Sequence, residues 1–465
     1  MSTTMTVADA ARRELSAFEG DLIVPNENGY EDARKVYNAM IDRRPALIAR
    51  CAGPADVALA LSFARDHELV VAVRGGGHNG AGLGTCEGGI VIDLSRLKDI
   101  DVDPDGRVVR VGGGCTWAEV DGATGEHGLA TPSGVISTTG VGGLTLGGGL
   151  GHLTRKFGLT IDNLLEAEMV LASGETVRTS ATERPDLFWA IRGGGGNFGV
   201  VTSFTFRLHE VGTIFGGPTF WAVEHAPEVL RAYREFILAA PRELSGFFAF
   251  HVVPPAPPFP EAIHLRNVCG IVWCYVGPAE AGAEAIAPLL AEVPAPLMHG
   301  VQPMPHAMLQ TAFDGLYPPG HQWYWRADFV SEVPDEAVDI HARFGANPPT
   351  MQSAMHMYPI DGAAHDVPPQ DTAWSYRDAN WATVFVGVDP DPANAAAIRR
   401  WAVDYQEALH PYSAGGAYVN MIMDEGEDRV RASYRDNYER LAQIKRAYDP
   451  DNVFRVNQNI RPAAG

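Results

Sequence analysis

Arg74, Gly75, Gly76, Gly77, His78 and Asn79 follow directly on the apolar run Val71–Val73. A cation and successive amides without side chains can approach an anion closely, and one imidazole is held beside them. Arg74 admits two readings: an ion pair within the fold, or an anion grip shared with the Gly75–Gly77 amides, which the adjoining glycines favour. His78 is either a loop histidine bonded to backbone or a point of attachment for a bound group. A second glycine-rich stretch runs from Thr131–Ser137 through Thr138, Thr139, Gly140, Gly142 and Gly143 to Gly147–Gly149 and Gly151. Glycine is costly in a helix or central strand, so this stretch is expected to be neither, and to lie against a ligand or another backbone. Gly193–Gly196 with Asn197 forms a third cluster. Far downstream stands Tyr418-Val-Asn420. Such a tyrosine is either a half-buried strand residue or an acid–base group. With a free pKa near 10 it would need a neighbour that stabilises phenolate.

The elements around these residues decide which ligand is plausible. A strand over 46–51, a helix opened by Pro54 and running to Asp66, and a strand over 69–73 form a β-α-β unit that ends at Arg74. Gly75, Gly77 and Gly80 match the dinucleotide fingerprint, as do Gly194, Gly196 and Gly199. That fingerprint needs a helix after the glycine turn. The first match instead runs towards a strand over 90–94, and the second into a strand over 200–206. A doubly wound NAD domain is therefore the minor reading. Further expectations are a short strand over 22–25, a helix over 32–42, a strand over 108–111, a helix over 116–127 capped by Thr116, a hairpin over 167–179 and a segment over 186–192 that ends at Gly193–Gly196. After Gly212 glycine thins, and strands over 247–253, 268–276, 354–358 and 381–388 alternate with helices over 279–290 and 392–408. Residues 254–260 read as a stiff proline-rich loop, 299–324 as a mobile stretch and 431–448 as one helix.

A chain of 465 residues exceeds one simple core, and two domains are expected. With 36 basic against 57 acidic residues, a net charge of −21, no nucleic acid or anionic membrane is expected as partner. The start of the chain lacks the pattern of a signal peptide, and no apolar run is long enough to span a bilayer. Five cysteines form no C-x-x-C, which fits a reducing cytoplasm. No metal-ligand spacing and no G-x-S-x-G elbow appear.

Several motifs together resemble one family. Arg74–Asn79, Gly134–Gly143 followed by Gly147–Gly149, Trp189–Gly199, Tyr418–Asn420 and Tyr448–Phe454 closely resemble the FAD-linked oxidases typified by the berberine bridge enzyme, within the vanillyl-alcohol-oxidase superfamily. The resemblance implies an α+β fold. Its PCMH-type FAD-binding domain would occupy residues 1–210 (core about 42–211). A substrate domain, an antiparallel sheet flanked by helices, would occupy 211–410. A C-terminal segment, 411–465, would return to complete the FAD domain. It implies FAD bound by Arg74–Asn79, Gly134, Thr138, Thr139, Gly142, Gly143, Gly196, Asn197, Val201, Tyr418 and Asn420, with His78 as covalent attachment site. Relatives with a second, cysteinyl link carry it at the position of Ile136, so only one link is expected here. Thr139 matches a position resembling an oxygen gate. Tyr418 would act as base, Asn420 would orient the flavin or its own strand, and Tyr358, flanked by His356 and Asp361, would be a second active-site tyrosine. His306, Tyr317, His321 and Tyr324 are lesser candidates.

The implied activity is hydride removal from a substrate CH–OH carbon with O2 as final acceptor, giving hydrogen peroxide. A hydroxylated secondary metabolite or a sugar would be the substrate. Ring-closing or amine oxidation is one alternative, and a non-catalytic flavin-binding protein another. Oligomeric state stays open.

Overall fold

The computed structural model describes residues 6–464. Pro54 opens the helix Pro54–Asp66, which carries the chain from the strand Leu47–Arg50 to the strand Val71–Arg74. Both strands lie parallel to Ile90–Asp93, which sits between them, and Asp21–Ile23 adds an antiparallel edge. The central strand is buried throughout, as parallel strands covered on both faces require. A second, five-stranded antiparallel sheet runs in the order Ile100–Asp103, Val108–Gly112, Val200–Arg207, Leu164–Val170, Thr176–Ser180. The helix Trp117–Gly125 starts behind Thr116, whose backbone N–H donates to the Glu119 carboxylate at 2.7 Å.

The third sheet has eight strands and begins with Thr213–Ala222. Across it follow Asn267–Tyr275, Leu244–Val252, Ala354–Pro359, Trp381–Asp389 and Gln322–Val330, all antiparallel. Period-two alternation gives it two different faces. Phe248, Phe250, Met355 and Met357 pack with Tyr233, Ile286, Val338 and Tyr405 of the flanking helices. Phe247, Ala249, Tyr358 and Val384 face the other way and join the core shared with the glycine loops.

Four expectations change. The helix over 32–42 is only Tyr30–Ala33, because Asn38 pins the following chain elsewhere, donating to Gly80 O (2.7 Å) and Trp323 O (3.0 Å). Part of the glycine-rich stretch is helical after all, Val141–Leu146. It tolerates Gly142 because a Cβ there would stand 3.2 Å from Gly113 O, so close approach replaces helix propensity as the deciding factor. The stretch 299–324 is structured: it holds the strand Gln302–Pro305 and the helix His306–Gln310, and Gln310 donates to Gly134 O at 2.9 Å. The helix over 431–448 is two, Glu427–Tyr434 and Asn437–Tyr448. Between them Arg435 takes a positive φ of 47°, with its guanidinium over the Tyr376 ring and on Asp378 (2.6 Å).

The strands Thr213–Ala222 and Gln322–Val330 have no counterpart in the sequence reading. Two glycines and a proline interrupt the first, and Arg326 and Asp328 the second. Among the described residues no helix is long and apolar enough to cross a membrane. All five cysteines are buried and free.

Candidate active site

The glycine loops meet the inner face of the large sheet around a cavity of about 310 Å³. Its first wall is backbone. Val71–Arg74 ends at the loop Gly75–Asn79, which packs against the second glycine stretch without intervening side chains. A Cβ on Gly76 would lie 2.6 Å from Gly140 N, and one on Gly140 only 2.4 Å from Gly76 N. Among the described residues the N–H groups of Gly76, Gly77, His78 and Asn79 meet no acceptor. Asn79 holds its own loop by accepting from Leu83 N at 3.3 Å.

His78 stacks on Tyr37, ring centroids 3.7 Å apart, with Nε2 3.4 Å from Thr138 Oγ1. Its accessible part lies at the cavity wall, yet the site is deep enough that burial pushes its imidazole down to about 4. The ring is therefore neutral at pH 7, with a nitrogen lone pair available.

Two residues expected at the cofactor have protein partners of their own. Arg74 is buried, and its guanidinium donates to Asp93 at 2.7 Å and to Lys35 O at 3.3 Å. Of its two readings the structure takes the ion pair, because Asp93 lies beside it on the neighbouring strand. Asn197 is fully buried, and its amide is occupied by Gly194 O (2.8 Å), Gln458 O (3.2 Å) and Ile460 N (2.9 Å). It ties the C-terminal segment to the Gly193–Gly196 turn. Lys445 reinforces the tie by donating to Asn197 O at 2.7 Å and to Asp449 at 2.6 Å. Asp449, the aspartate of the Tyr448–Phe454 motif, also accepts from the amides of Val453 and Phe454.

That returning segment brings Tyr418 to the cavity. Its buried hydroxyl accepts from Gly149 N (2.9 Å) and from Asn420 Nδ2 (2.8 Å), and Asn420 also donates to Leu144 O at 3.0 Å. Burial pushes the phenol up, and the two donors pull against it. The stabilising neighbour is thus an amide pair, not a cation.

The opposite wall is side chains. Tyr358 stands on the inner sheet face with its hydroxyl 2.6 Å from His356 Nδ1. Trp323 and Trp325, from the unforeseen strand, join it with Val384 and Val386. Gly75, Gly134, Thr139, Gly142, Gly143, Gly196 and Val201 also line the cavity; Thr138 and Asn197 do not. Of the lesser candidates Tyr317 lines it, whereas His306, His321 and Tyr324 do not. Tyr37, Tyr434, Asn457 and Gln458 line it without having been singled out in sequence. The polar run Asn457–Asn459 just beyond Phe454 is the one signal that could have found the last two.

Comparison with known proteins agrees with this geometry. Residues 45–180 match the FAD binding domain family and residues 417–461 the berberine and berberine-like family. The chain is 31% identical over 441 residues to an FAD-linked oxidoreductase of Dictyostelium discoideum, covering 94% of this chain and 93% of that protein. It belongs to the berberine-bridge-enzyme-like family of FAD-linked oxidoreductases. Within this family it is also 31% identical over 467 residues to (R)-6-hydroxynicotine oxidase of Paenarthrobacter nicotinovorans, covering 96% and 97%. Its fold superposes on 6-hydroxy-D-nicotine oxidase from Arthrobacter nicotinovorans with a TM-score of 0.85, at 25% identity over 100% of both chains. The berberine-bridge-like protein 1 of Physcomitrella patens shares the fold at a TM-score of 0.87 and 23% identity, over 98% and 99% of the chains.

The residues present fit the FAD that the family binds. Side chains built on Gly143 and Gly196 would meet nothing within 4 Å, so the wall is open at both. The free amides of Gly76–Asn79 suit a diphosphate. Among the described residues Arg74 is the only charged one lining the cavity, so no carboxylate of theirs repels one. Tyr434 Oη and Asn457 Oδ1, on wall residues, have no partner among the described residues.

Proposed function

We propose that this protein oxidises a neutral, hydroxyl-bearing small molecule in the cavity between the two walls, with FAD attached through His78 alone. On this reading residues 1–210 hold FAD, 211–410 the substrate, and 411–465 complete the flavin site. FAD bound there would supply the hydride acceptor, with O2 as the final acceptor and hydrogen peroxide as the by-product. Gly76–Asn79 would bind the diphosphate through backbone N–H groups. The neutral imidazole of His78 is in the state that covalent attachment requires. Ile136, at the wall, offers no thiol for a second bond. Thr139 would stand at the oxygen-access position.

The observation that carries the reading is the Tyr418 hydroxyl, buried at the cavity with N–H donors at 2.9 and 2.8 Å. As phenolate it keeps both donors and has a lone pair left for the substrate's hydroxyl proton. Tyr358 binds the substrate from the facing sheet, and the surrounding indole and phenol rings exclude water. The relative that acts on (R)-6-hydroxynicotine supports a second reading in which an amine is oxidised in the same cavity.

Acid precipitation of the purified yellow protein tests the link. Colour should stay in the pellet, and should move to the supernatant for His78→Ala. Colour in the wild-type supernatant would remove the covalent claim. Tyr418→Phe should keep its absorbance and lose substrate-dependent peroxide release. Unchanged turnover would remove Tyr418 as base.

A further inference from the structure

The inner face of the large sheet is uneven where it meets the cavity. Strand register sets four short side chains together: Val384 pairs with Ala327, and Val386 with Ala354. On the opposite side of Val384 stands His356, and on the opposite side of Val386 stands Trp325. Tyr358 and Trp323, each two residues along its strand from these, share the same face and complete the rim. The result is a depression with an aliphatic floor and an aromatic rim, and Val384 and Val386 open its floor to the cavity. Residues two apart on a strand are about 7 Å apart, and the strands on either side of Trp381–Asp389 are about 10 Å apart. One six-membered ring with a short substituent fills that space. Trp325 is a fixed part of the rim, because it is pressed against the chain at Gly80, where a Cβ would lie 2.8 Å from its ring.

The depression is apolar because its polar atoms are engaged elsewhere or turned away. His356 has Nδ1 2.6 Å from Tyr358 Oη and Nε2 3.0 Å from His251 Nε2, so both its nitrogens are taken. Trp323 and Trp325 line the cavity, yet their Nε1 atoms are buried with no partner among the described residues. The cavity therefore meets indole carbons and not N–H groups. Tyr317 closes one end, its ring centroid 5.6 Å from that of Trp323. The other end leads to Tyr418, which packs on Trp374 at 4.9 Å, as Trp374 packs on Phe329 at 5.1 Å. Phe329 and Tyr358 both pair with Ala382, so Tyr358 and Tyr418 stand at the same end. The polar part of a substrate belongs there.

We propose that this depression selects an aromatic alcohol, one flat ring carrying a CH–OH carbon, and rejects sugars, with Val384 and Val386 as specificity-determining residues. The proposal rests on the reading of this cavity as a site of alcohol oxidation. The ring lies over Val384 and Val386 inside the rim, and the CH–OH carbon lies at the Tyr358–Tyr418 end. Rim rings in offset or edge contact attract an aromatic ring beyond what its buried area supplies. A sugar brings a hydroxyl on nearly every carbon. Set on Val384 and Val386, those hydroxyls lose water and gain no partner. A saturated carbocycle fits the floor chemically, but it is thicker than a flat ring and offers the rim no π system.

The test starts from binding to the FAD-loaded protein, read as a shift in flavin absorbance. 2-Phenyl-2-propanol and 2-cyclohexyl-2-propanol have no hydrogen on the carbinol carbon, so neither can be oxidised there. The phenyl compound should bind about tenfold more tightly, although the cyclohexyl compound is the more hydrophobic. Trp325→Leu, with flavin absorbance and melting temperature retained, should remove that preference. Equal binding to the wild type, or no shift with either compound, would overturn the proposal. Oxidation is read by anaerobic bleaching of the flavin with benzyl alcohol, glucose and cellobiose. Benzyl alcohol should bleach it and the sugars should not. Val386→Thr adds one hydroxyl to the floor at nearly constant volume, and should raise KM for benzyl alcohol about tenfold with kcat unchanged. An unchanged KM removes Val386 from the floor of the site. Bleaching by either sugar as fast as by benzyl alcohol sinks the proposal and leaves the alcohol-oxidase reading standing. If no alcohol of either kind bleaches the wild type, that reading fails, and the binding pair still decides whether the depression takes a flat ring.

Discussion

The two walls of the cavity are made by opposite means. The glycine wall consists of backbone: loops that touch through Gly76 and Gly140, with free amides beyond them. The sheet wall consists of side chains set on one face by strand alternation, Tyr358, His356, Trp323 and Trp325 among them. Where its loops touch, at Gly76 and Gly140, a wall of backbone tolerates no added atom, because nothing there can rotate away. A wall of side chains tolerates substitution and loses particular bonds instead.

The largest expected difference comes from one substitution in each wall. Gly140→Ala drives a Cβ to 2.4 Å from Gly76 N and should destabilise by about 3 kcal/mol, seen as a lowered urea midpoint with poor flavin retention. Tyr358→Phe removes one hydrogen bond and should cost about 1 kcal/mol in the same assay. Equal losses would erase the distinction.

Tyr418 belongs to the segment that closes the glycine wall, and it tests function more than folding. Tyr418→Phe leaves Gly149 N–H and Asn420 N–H without their acceptor, which should cost about 2 kcal/mol of stability. Its rate of flavin reduction should fall by about 10²–10⁴, measured by anaerobic bleaching.

Acid should act more on the sheet wall. Burial lowers His251 to about 4 and His356 well below its usual value, whereas His78 is the one histidine that the glycine wall contributes to the cavity lining among the described residues. Between pH 6.5 and about 4 the unfolded chain binds protons on these rings and the folded chain does not. Stability contributed by the neutral rings is complete above pH 6.5 and falls as pH drops through that window. Thermal melting against pH should fall steeply there, and less steeply for His251→Asn with His356→Asn. An unchanged slope would exclude these two rings as its source.

The smallest effect lies at the junction of the walls. Asp121 is buried, accepts from Gln310 Nε2 at 3.2 Å and leaves Oδ1 unpartnered, and burial raises its carboxyl to about 7. As pH rises from 3.8 to about 7 the unfolded chain releases this proton and the folded chain keeps it, so the carboxyl costs stability through that window and in full above it. Asp121→Asn should therefore raise the melting temperature by a few degrees at pH 8, by at least about 1 kcal/mol, and by less at pH 5.

The glycine wall was legible in sequence because its requirement is absence of a side chain, which a residue type states directly. Gly75–Gly77, Gly142, Gly143 and Gly196 all line the cavity, and the helix at Pro54 starts and ends at the expected residues. The protein partners of Arg74 and Asn197 were not legible for one reason: a polar residue in a motif has several possible partners, and Asp93, Gln458 and Ile460 come from elsewhere in the chain. By itself the sequence determined the β-α-β unit, the glycine loops, the alternating strands and the Tyr418–Asn420 motif, because each follows from local conformational preference. Only the tertiary structure decided that Gly149 serves Tyr418, that Trp323 and Trp325 share its cavity, and that His251 meets His356. Those pairings depend on strand register and on the return of residues 415–464 to the glycine loops, which no local property encodes.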